Sequence, residues 1–477
     1  MGQEIQQYHF SPAEFDSFRA RMQDETRRLE QWFREDAFSR RDRVIGLELE
    51  AWLIDGEARP APVNTEYLKV LDDPMAVPEL ARFNIELNVH PQPLTGTALS
   101  RLHADLHRTW EHCYRIAEGF DARLLMTGIL PTLEDRHLVM ANMSEMKRYR
   151  ALNEQVLLQR QGRPLRLDIR GHETLRTQHQ DVMLESASTS FQLHLKVNLD
   201  RAARYYNLAQ MLSAPLVAVS ANSPYLFGRD LWDETRIPVF EQSVEVGGHA
   251  GAAHGPVHRV SFGTGYVHDS LFETFRENCD HFPVLLPIEY DVPPEQLAHL
   301  RLHNGTIWRW NRPLIGFDDD GTPHLRIEHR VIPAGPTLAD GIANAAFFYG
   351  LILELGERDE ILEWRLPFAT ARDNFYHAAR FGLEAQVTWF DEKKVRMQTL
   401  LADKLLPLAR RGLERLELDP VDIDLYTGII RQRLHNGCNG AAWQRAWVAR
   451  HGRDWQGLTE ACLERQRTDT PVHEWDI

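Results

Sequence analysis

The composition of this 477-residue chain indicates a full hydrophobic core and no surplus of positive charge. Hydrophobic residues make up 43% of the sequence, and 69 acidic residues outnumber 54 Lys and Arg residues, which gives a formal net charge of −15. This balance argues against binding along a nucleic-acid backbone, which requires an excess of cationic side chains. The charge balance is still compatible with ATP binding, because metal ions and a few arginines can neutralise the charge of ATP locally.

Cysteine use and hydropathy favour a cytoplasmic protein. The 4 cysteines form no Cys-x-x-Cys pair, so we expect no structural zinc site. So few cysteines in a long chain fit a reducing compartment. Residues 1–14 are polar and lack the apolar core of a signal peptide. No run of about eighteen apolar residues is present, so we expect no membrane-spanning segment.

The chain begins with a predicted helix over residues 11–37, because Ser11-Pro12-Ala13-Glu14 combines a capping pattern with proline at the first helical position. A sheet core is predicted over about 42–345, and a helical C-terminal part without strand runs over about 338–477. No internal repeat or linker divides the chain. We therefore interpret residues 1–477 as a single catalytic unit.

The first predicted strand, Gly46 to Trp52, carries two carboxylates on one face. Its residues alternate, so that Glu48 and Glu50 point away from the apolar side chains, roughly 7 Å apart. Like charges at this spacing repel, and a solvated edge strand is one explanation. A shared metal platform is the other, because hard cations such as Mg²⁺ bind carboxylate oxygens.

Three later segments repeat this alternation, at residues 83–91, 188–197 and 325–331. Their polar faces carry the following side chains: Glu86 and Asn88 on the first, His194 on the second, and Arg326, Glu328 and Arg330 on the third. Residues 318–321, Asp-Asp-Asp-Gly, predict a hairpin turn into the last strand.

The remaining segments give weaker indications of function. We expect helices over residues 96–120, 142–161 and 200–220, a short strand over 124–129, and a polar excursion over 162–184. Residues 246–267, rich in Gly and His, fit either a lid or a plain surface loop. Residues 303–312 contain Asn304 and Arg309, which can read a polar substrate. A Trp-rich core wall with arginines that reach solvent is the alternative there.

The polar faces together suggest phosphoryl transfer. Carboxylates on one open sheet face would raise one another's pKa unless cations sat between them. Divalent metals with phosphates and arginines form the electrostatic environment that phosphoryl transfer requires. The sequence has no Gly-x-x-x-x-Gly-Lys-Ser/Thr loop and no Gly-x-Gly-x-x-Gly after a strand. We therefore expect any ATP to bind over a metal-bearing sheet rather than at a helix N-terminus.

Five motifs in order resemble the glutamate–cysteine ligase type 2 family, which includes bacterial carboxylate–amine ligases. They are Gly-Leu-Glu-Leu-Glu, Glu-Leu-Asn-Val-His-Pro, Phe-Gln-Leu-His-Leu, Ala-Asn-Ser-Pro and Glu-His-Arg-Val-Ile-Pro-Ala-Gly-Pro-Thr. The resemblance covers about residues 42–345. It implies an α+β fold with a funnel-shaped antiparallel sheet flanked by helices, as in glutamine synthetase.

The resemblance also implies roles for individual residues. Arg330 would contact the nucleotide phosphates or an acyl phosphate, Arg236 would bind a substrate carboxylate, and Asn88, Asn304 and Arg309 would bind substrate. The metal ligands, for Mg²⁺ or Mn²⁺, would be Glu48, Glu50, Glu86, His194 and Glu328.

The function predicted at this point is an ATP-dependent ligase that joins a carboxylate, most simply glutamate, to an amine through an acyl phosphate. The expected partners are ATP and small carboxylate and amine substrates, without nucleic acid or membrane, and a homo-oligomer is left open. Two alternatives keep the same fold: a module that binds a nucleotide or amino acid without turnover, and an enzyme that modifies a protein side chain with ATP.

Overall fold

The computed structural model describes residues 5, 7–41, 43–246, 258–390 and 393–477. Its strands are β1 (Val44–Ile54), β2 (Ala76–Pro78), β3 (Asn84–Asn88), β4 (Gln92–Pro93), β5 (Arg123–Leu125), β6 (Leu165–Arg170), β7 (Thr174–His179), β8 (Ser190–Val197), β9 (Tyr225–Leu226), β10 (Arg229–Asp230), β11 (Val260–Ser261), β12 (Trp308–Arg309), β13 (Asn311–Phe317), β14 (Pro323–Pro333), β15 (Gln386–Thr388) and β16 (Lys394–Arg396).

Helices surround these strands. They are α1 (Pro12–Glu35), α2 (Asn64–Leu71), α3 (Ala98–Glu118), α4 (Lys147–Gln159), α5 (Leu199–Ser220), α6 (Arg236–Ser243), α7 (Phe272–His281), α8 (Ala298–Gly305), α9 (Leu338–Gly356), α10 (Phe368–Phe381), α11 (Met397–Leu400), α12 (Leu406–Arg415), α13 (Pro420–Asn436), α14 (Gly440–His451) and α15 (Trp455–Gln466).

The central sheet is antiparallel and runs in the order β13–β14–β8–β1–β3–β2, with β4 and β5 paired to the two ends of β1. Along β1 the side chains alternate between buried and half-buried until Ala51, after which all are buried. This alternation gives the sheet one apolar face and one polar face, as the sequence predicted.

Helices α5 and α9 cover the apolar face. The Tyr349 hydroxyl of α9 donates hydrogen bonds to the backbone carbonyls of Gly46 and His194, both at 3.1 Å. The ring of Phe348 stacks on His329 of β14 with a centroid distance of 4.3 Å. Because these contacts fill one side of the sheet, the polar side chains of β1, β8 and β14 are left to face the other.

The predicted α+β class, with an antiparallel sheet flanked by helices, is confirmed. All four alternating segments form strands, although β3 ends at Asn88, before Pro91, which cannot donate a ladder hydrogen bond. The predicted turn joins β13 to β14, and Gly321 adopts the positive φ of 83° that such a turn requires. The capping box at Ser11 is present, and α1 ends two residues earlier than predicted, at Glu35.

Three sequence expectations need correction. Residues 162–184 are not a simple polar excursion, because β6 and β7 form a hairpin there and residues 182–187 form a 3₁₀ helix. The C-terminal part contains one short hairpin, β15–β16, within a helical region. Helices α6, α7 and α8 were not predicted, because each has only 8–10 residues, too few to show a clear helical repeat. Of the candidate lid, residues 247–257 lie outside the described residues.

Helix α9 is the one described helix that is long and apolar enough to cross a membrane, and it is entirely buried within the protein. Its burial identifies it as the core helix beneath the sheet. All four cysteines are free thiols.

Candidate active site

The polar face of the sheet carries all five residues predicted as metal ligands. Strand register explains why they meet: Glu50 lies opposite Glu86, and Glu328 lies opposite His194. Directly opposed residues of antiparallel strands share a face, with Cβ atoms about 5 Å apart. The five side chains form two groups rather than one, and the structure adds a sixth side chain, the carboxylate of Glu79.

The first group, Glu48, His194 and Glu328, is called here the histidine cluster. His194 Nε2 lies 3.1 Å from Glu48 Oε1 and 3.9 Å from Glu328 Oε1. Two arginines flank Glu328. Arg312 donates two hydrogen bonds to its carboxylate, at 2.7 and 3.0 Å, and Arg330 Nη1 lies 3.2 Å from Oε2.

The second group, Glu50, Glu79 and Glu86, is called here the carboxylate cluster. Candidate ligand atoms of its three members lie within 4.8 Å of one another. Glu50 accepts hydrogen bonds from Ser190 N at 2.6 Å and from Gln192 Nε2 at 2.9 Å. Asn88 Nδ2 donates to Glu86 Oε1 at 3.1 Å.

The two clusters differ in their ionisation. Burial, and then the charge of Glu79, raise the pKa of Glu50 from 4.5 to about 7. Burial, and then the charges of Glu48 and Glu79, raise the pKa of Glu86 well above its usual range. Burial likewise raises the pKa of Glu79. Without a bound cation, the carboxylate cluster therefore retains protons near neutral pH.

In the histidine cluster, nearby cations outweigh burial. Burial opposes ionisation of Glu328, but Arg312, Arg330 and His194 hold its pKa well below the usual range. Burial would also raise the pKa of Glu48, yet its interaction with His194 lowers it overall. Both carboxylates of this cluster are therefore ionised at neutral pH.

The residues present fit divalent metal ions. Two atoms of the histidine cluster, Glu48 Oε2 and His194 Nδ1, are buried and have no hydrogen-bond partner among the described residues. Orphaned buried polar atoms are costly unless an ion or water pairs with them. Carboxylate oxygens suit Mg²⁺ and Mn²⁺, and imidazole is compatible with several divalent metals.

The two arginines predicted as catalytic lie near these clusters, in different environments. Arg330 Nη1 donates a hydrogen bond to Gln192 Oε1, in addition to its ion pair with Glu328. Arg236 is buried on α6, where Nε pairs with Glu234 at 3.1 Å and Nη2 donates to the backbone carbonyls of Arg330 and Val331. Its pKa is lowered by burial, against the attraction of Glu234 and Glu50.

The three residues predicted to bind substrate lie in different parts of the structure. Asn88 belongs to the carboxylate cluster through its bond to Glu86. Asn304 instead exchanges hydrogen bonds with Asn278 and the backbone of Pro313, both at 2.9 Å. Arg309 pairs with Glu277 at 2.8 Å and with Asn278 at 2.5 Å.

The contacts of Asn304 and Arg309 connect α7, α8 and the start of β13, rather than reaching the two clusters. Trp310, next to them, is fully buried against aromatic rings of α6 and α10. The Trp-rich core wall of the alternative is present, but its arginines do not reach solvent, because Arg309 and Arg312 are buried.

Sequence patterns missed Glu79, Arg312 and Glu185. Glu79 follows the three-residue strand β2, which is too short to show alternation. Arg312 lies opposite Glu328 and could have been found by pairing β13 with β14 from their turn. Glu185 lies in the unpredicted 3₁₀ helix, and its pKa is raised well above the usual range by burial and by the charges of Glu79 and Glu50.

Comparison with known proteins agrees with this architecture. A glutamate–cysteine ligase from Francisella tularensis, solved in complex with AMP, has a TM-score of 0.58 at 12% identity, covering 90% of each chain. A bifunctional glutathione synthetase from Pasteurella multocida has a TM-score of 0.51 at 12% identity, covering 92% of this chain and 53% of that one. At such identities, these likenesses concern the fold.

Sequence comparison is more specific. "Putative glutamate--cysteine ligase 2" of Trichormus variabilis (strain ATCC 29413 / PCC 7937) is 26% identical over 230 residues, which span 47% of this chain and about half, 49%, of the length of that curated relative. The model of glutamate–cysteine ligase family 2 matches residues 44–464. The chain therefore belongs to glutamate–cysteine ligase family 2.

Proposed function

We propose that this protein is an ATP-dependent carboxylate–amine ligase that activates glutamate or a similar amino-acid carboxylate. The observation that carries the proposal is the convergence of six acidic or imidazole side chains, in two clusters, on one sheet face beside Arg312 and Arg330. Family membership and the AMP complex of the Francisella ligase support a nucleotide substrate.

The proposed reaction has two steps. A carboxylate oxygen of the substrate attacks the γ-phosphorus of ATP, which forms an acyl phosphate and releases ADP. The nitrogen of a neutral amine then attacks the acyl carbon, inorganic phosphate leaves, and the nitrogen loses a proton to give the amide.

Different residues of this chain would have different roles in this reaction. Glu48, His194 and Glu328 would hold one cation and Glu50, Glu79 and Glu86 another, with Asn88 supporting Glu86. Bound Mg²⁺ or Mn²⁺ would neutralise phosphate charge and align the transfer. Arg330 lies where it could stabilise charge on the transferred phosphoryl group. Arg236, held against β14, would contribute positive potential toward the substrate carboxylate.

The test is ADP formation by the purified chain with ATP and Mg²⁺, measured against a panel of carboxylates and amines. The proposal requires ADP release that depends on both glutamate, or a close analogue, and an amine. Mass spectrometry of the products should show an amide whose mass equals both substrates less one water. Nucleotide binding without turnover under all substrate pairs would instead favour a binding module.

A further inference from the structure

A cavity of about 650 Å³ lies in the C-terminal helical part, far along the chain from the acid clusters. It is lined by residues of β16, of the segment 398–403 and of helices α12 and α13. Its volume is within the range of small-molecule binding sites in proteins. None of the lining residues belongs to the strands that carry the two acid clusters, so a ligand in this cavity would occupy a site other than the catalytic one.

Positive charge is concentrated around this cavity. Its lining includes three arginines, Arg396, Arg410 and Arg431, and also His435. Among the described lining residues, Asp403 is the only acid. The whole chain has the opposite balance, with a formal net charge of −15. Because a guanidinium group binds carboxylate and phosphate oxygens in pairs, this lining favours an anionic ligand.

The three arginines differ in how far other residues already neutralise them. Arg410 pairs with one acid of α12 and one of α13, at 2.9 and 2.7 Å, and Arg396 pairs with Glu384. Within the described part of the chain, the guanidinium of Arg431 has no ion pair and no hydrogen bond. Arg431 is therefore the arginine of the cavity that is most available to an anion.

The cavity also has an apolar floor and an irregular wall. Leu406 and Leu434 are buried beneath it. Residues 401–405 form a π turn, in which the N–H of Leu406 donates to the carbonyl of Leu401, five residues earlier. Pro407 follows and has no N–H to donate. Since π turns are rare and occur frequently at functional sites, the backbone here supports a binding role.

We propose that this cavity binds a small molecule with an apolar body and two negative charges, carried by a phosphate monoester or by two carboxylates. Arg431 is its main recognition residue. His435, one helical turn further along α13, and Arg410 supply additional positive charge. The apolar body of the ligand packs against Leu406 and Leu434. This site is independent of the ligase proposal, since it shares no residue with the acid clusters.

The test is calorimetric titration of the full chain at pH 7.5 with phenyl phosphate and, separately, with isophthalate. These probes place a phosphate monoester or two carboxylates on the same kind of ring, so they distinguish the two sources of charge. Benzyl alcohol is the matched uncharged probe. We expect saturable binding of at least one anion with a Kd below about 1 mM, and no binding of benzyl alcohol in that range. The affinity for the anion should fall as salt is added.

Variants locate the bound anion. Arg431→Gln should weaken its binding about fivefold or more, because the substitution removes charge-assisted hydrogen bonds. Arg431→Lys should recover part of the affinity, since it restores charge without the planar fork. Ala402→Phe, at an exposed position of the cavity wall, should block binding by filling the space. Arg415→Gln, on α12 but outside the cavity, is the matched control and should bind as wild type.

Three results would each overturn the proposal. They are the absence of saturable binding for both anions, equal binding of benzyl alcohol, and anion binding that Arg431→Gln leaves unchanged, which would place the anion elsewhere on the protein. Thermal unfolding checks that the variants fold. Because the guanidinium of Arg431 has no partner among the described residues, Arg431→Gln should unfold at the wild-type temperature. If Ala402→Phe does not fold, Arg431→Gln decides the outcome alone.

Discussion

The two acid clusters on the sheet lie side by side and are built in opposite ways. In the histidine cluster, Arg312 and Arg330 already neutralise Glu328, so the carboxylate is ionised in the free protein. In the carboxylate cluster, Glu50 and Glu86 have raised pKa values because burial and like charges act on them together. The first cluster therefore contributes to the stability of the fold, whereas the second brings together carboxylates whose repulsion is relieved by protonation in the free protein and would be relieved by a bound cation.

Loss of either cluster should abolish turnover, which is the largest effect expected. Glu50→Ala and Glu328→Ala each remove a predicted ligand, and we expect kcat to fall by on the order of 10²–10³-fold or more. The ADP-release assay with glutamate and an amine measures this loss. Full activity in either variant would remove that residue from the metal assignment.

Substitutions in the two clusters should have different effects on the free energy of unfolding, although substitutions in either cluster should abolish turnover. Glu328→Gln leaves Arg312 and Arg330 without their shared carboxylate in a buried site, so we expect a loss of about 3 kcal/mol in the free energy of unfolding. Glu86→Gln removes a repelled carboxylate and should leave the metal-free protein as stable as wild type or more so. Urea denaturation of metal-free samples at pH 7.5 measures both values. Equal destabilisation by both changes would contradict the contrast between the clusters.

The pH dependence of metal-free stability follows from the carboxylate cluster. The pKa of Glu50 is about 7 when folded, against 4.5 ordinarily, so the folded state binds more protons than the unfolded state between these values. Its contribution therefore falls as pH rises through this window, by on the order of 3 kcal/mol. Mg²⁺ should offset the loss, so the rise in Tm on adding Mg²⁺ should grow from pH 5.5 to pH 8. A rise in Tm that is independent of pH would count against a cation at Glu50.

The smallest effect on activity is expected at the wall formed by residues 303–312. Asn304→Ala removes hydrogen bonds to Asn278 and Pro313 and should lower stability by about 1–2 kcal/mol. Its KM values for ATP and glutamate should stay within about twofold of wild type, since its partners lie outside both clusters. A large selective rise in one KM would restore the substrate-binding role predicted from the sequence.

Strand alternation made much of this site predictable. Glu48, Glu50, Glu86, His194 and Glu328 were recognisable because each lies on the polar face of a strand whose other face is apolar. The division into two clusters was not predictable, since it depends on register: Glu50 faces Glu86 while Glu328 faces His194.

Residues outside long strands were harder to place. Glu79 follows a three-residue strand and Arg236 begins an eight-residue helix, so neither belongs to a periodic pattern long enough to fix its direction. Arg309 has the chemistry of a substrate ligand but is engaged by Glu277 and Asn278 on α7, a helix that the sequence did not predict. Local pattern identifies which face a residue occupies, and tertiary packing decides whether a partner already holds it.

The central claim is that both clusters hold divalent cations, and anomalous diffraction from crystals grown with Mn²⁺ tests it most directly. We expect one anomalous peak coordinated by Glu48, His194 and Glu328 and another among Glu50, Glu79 and Glu86, with the second lost in Glu86→Gln. Well-ordered crystals in which Mn²⁺ peaks are absent from both clusters, or lie elsewhere on the protein, would contradict it.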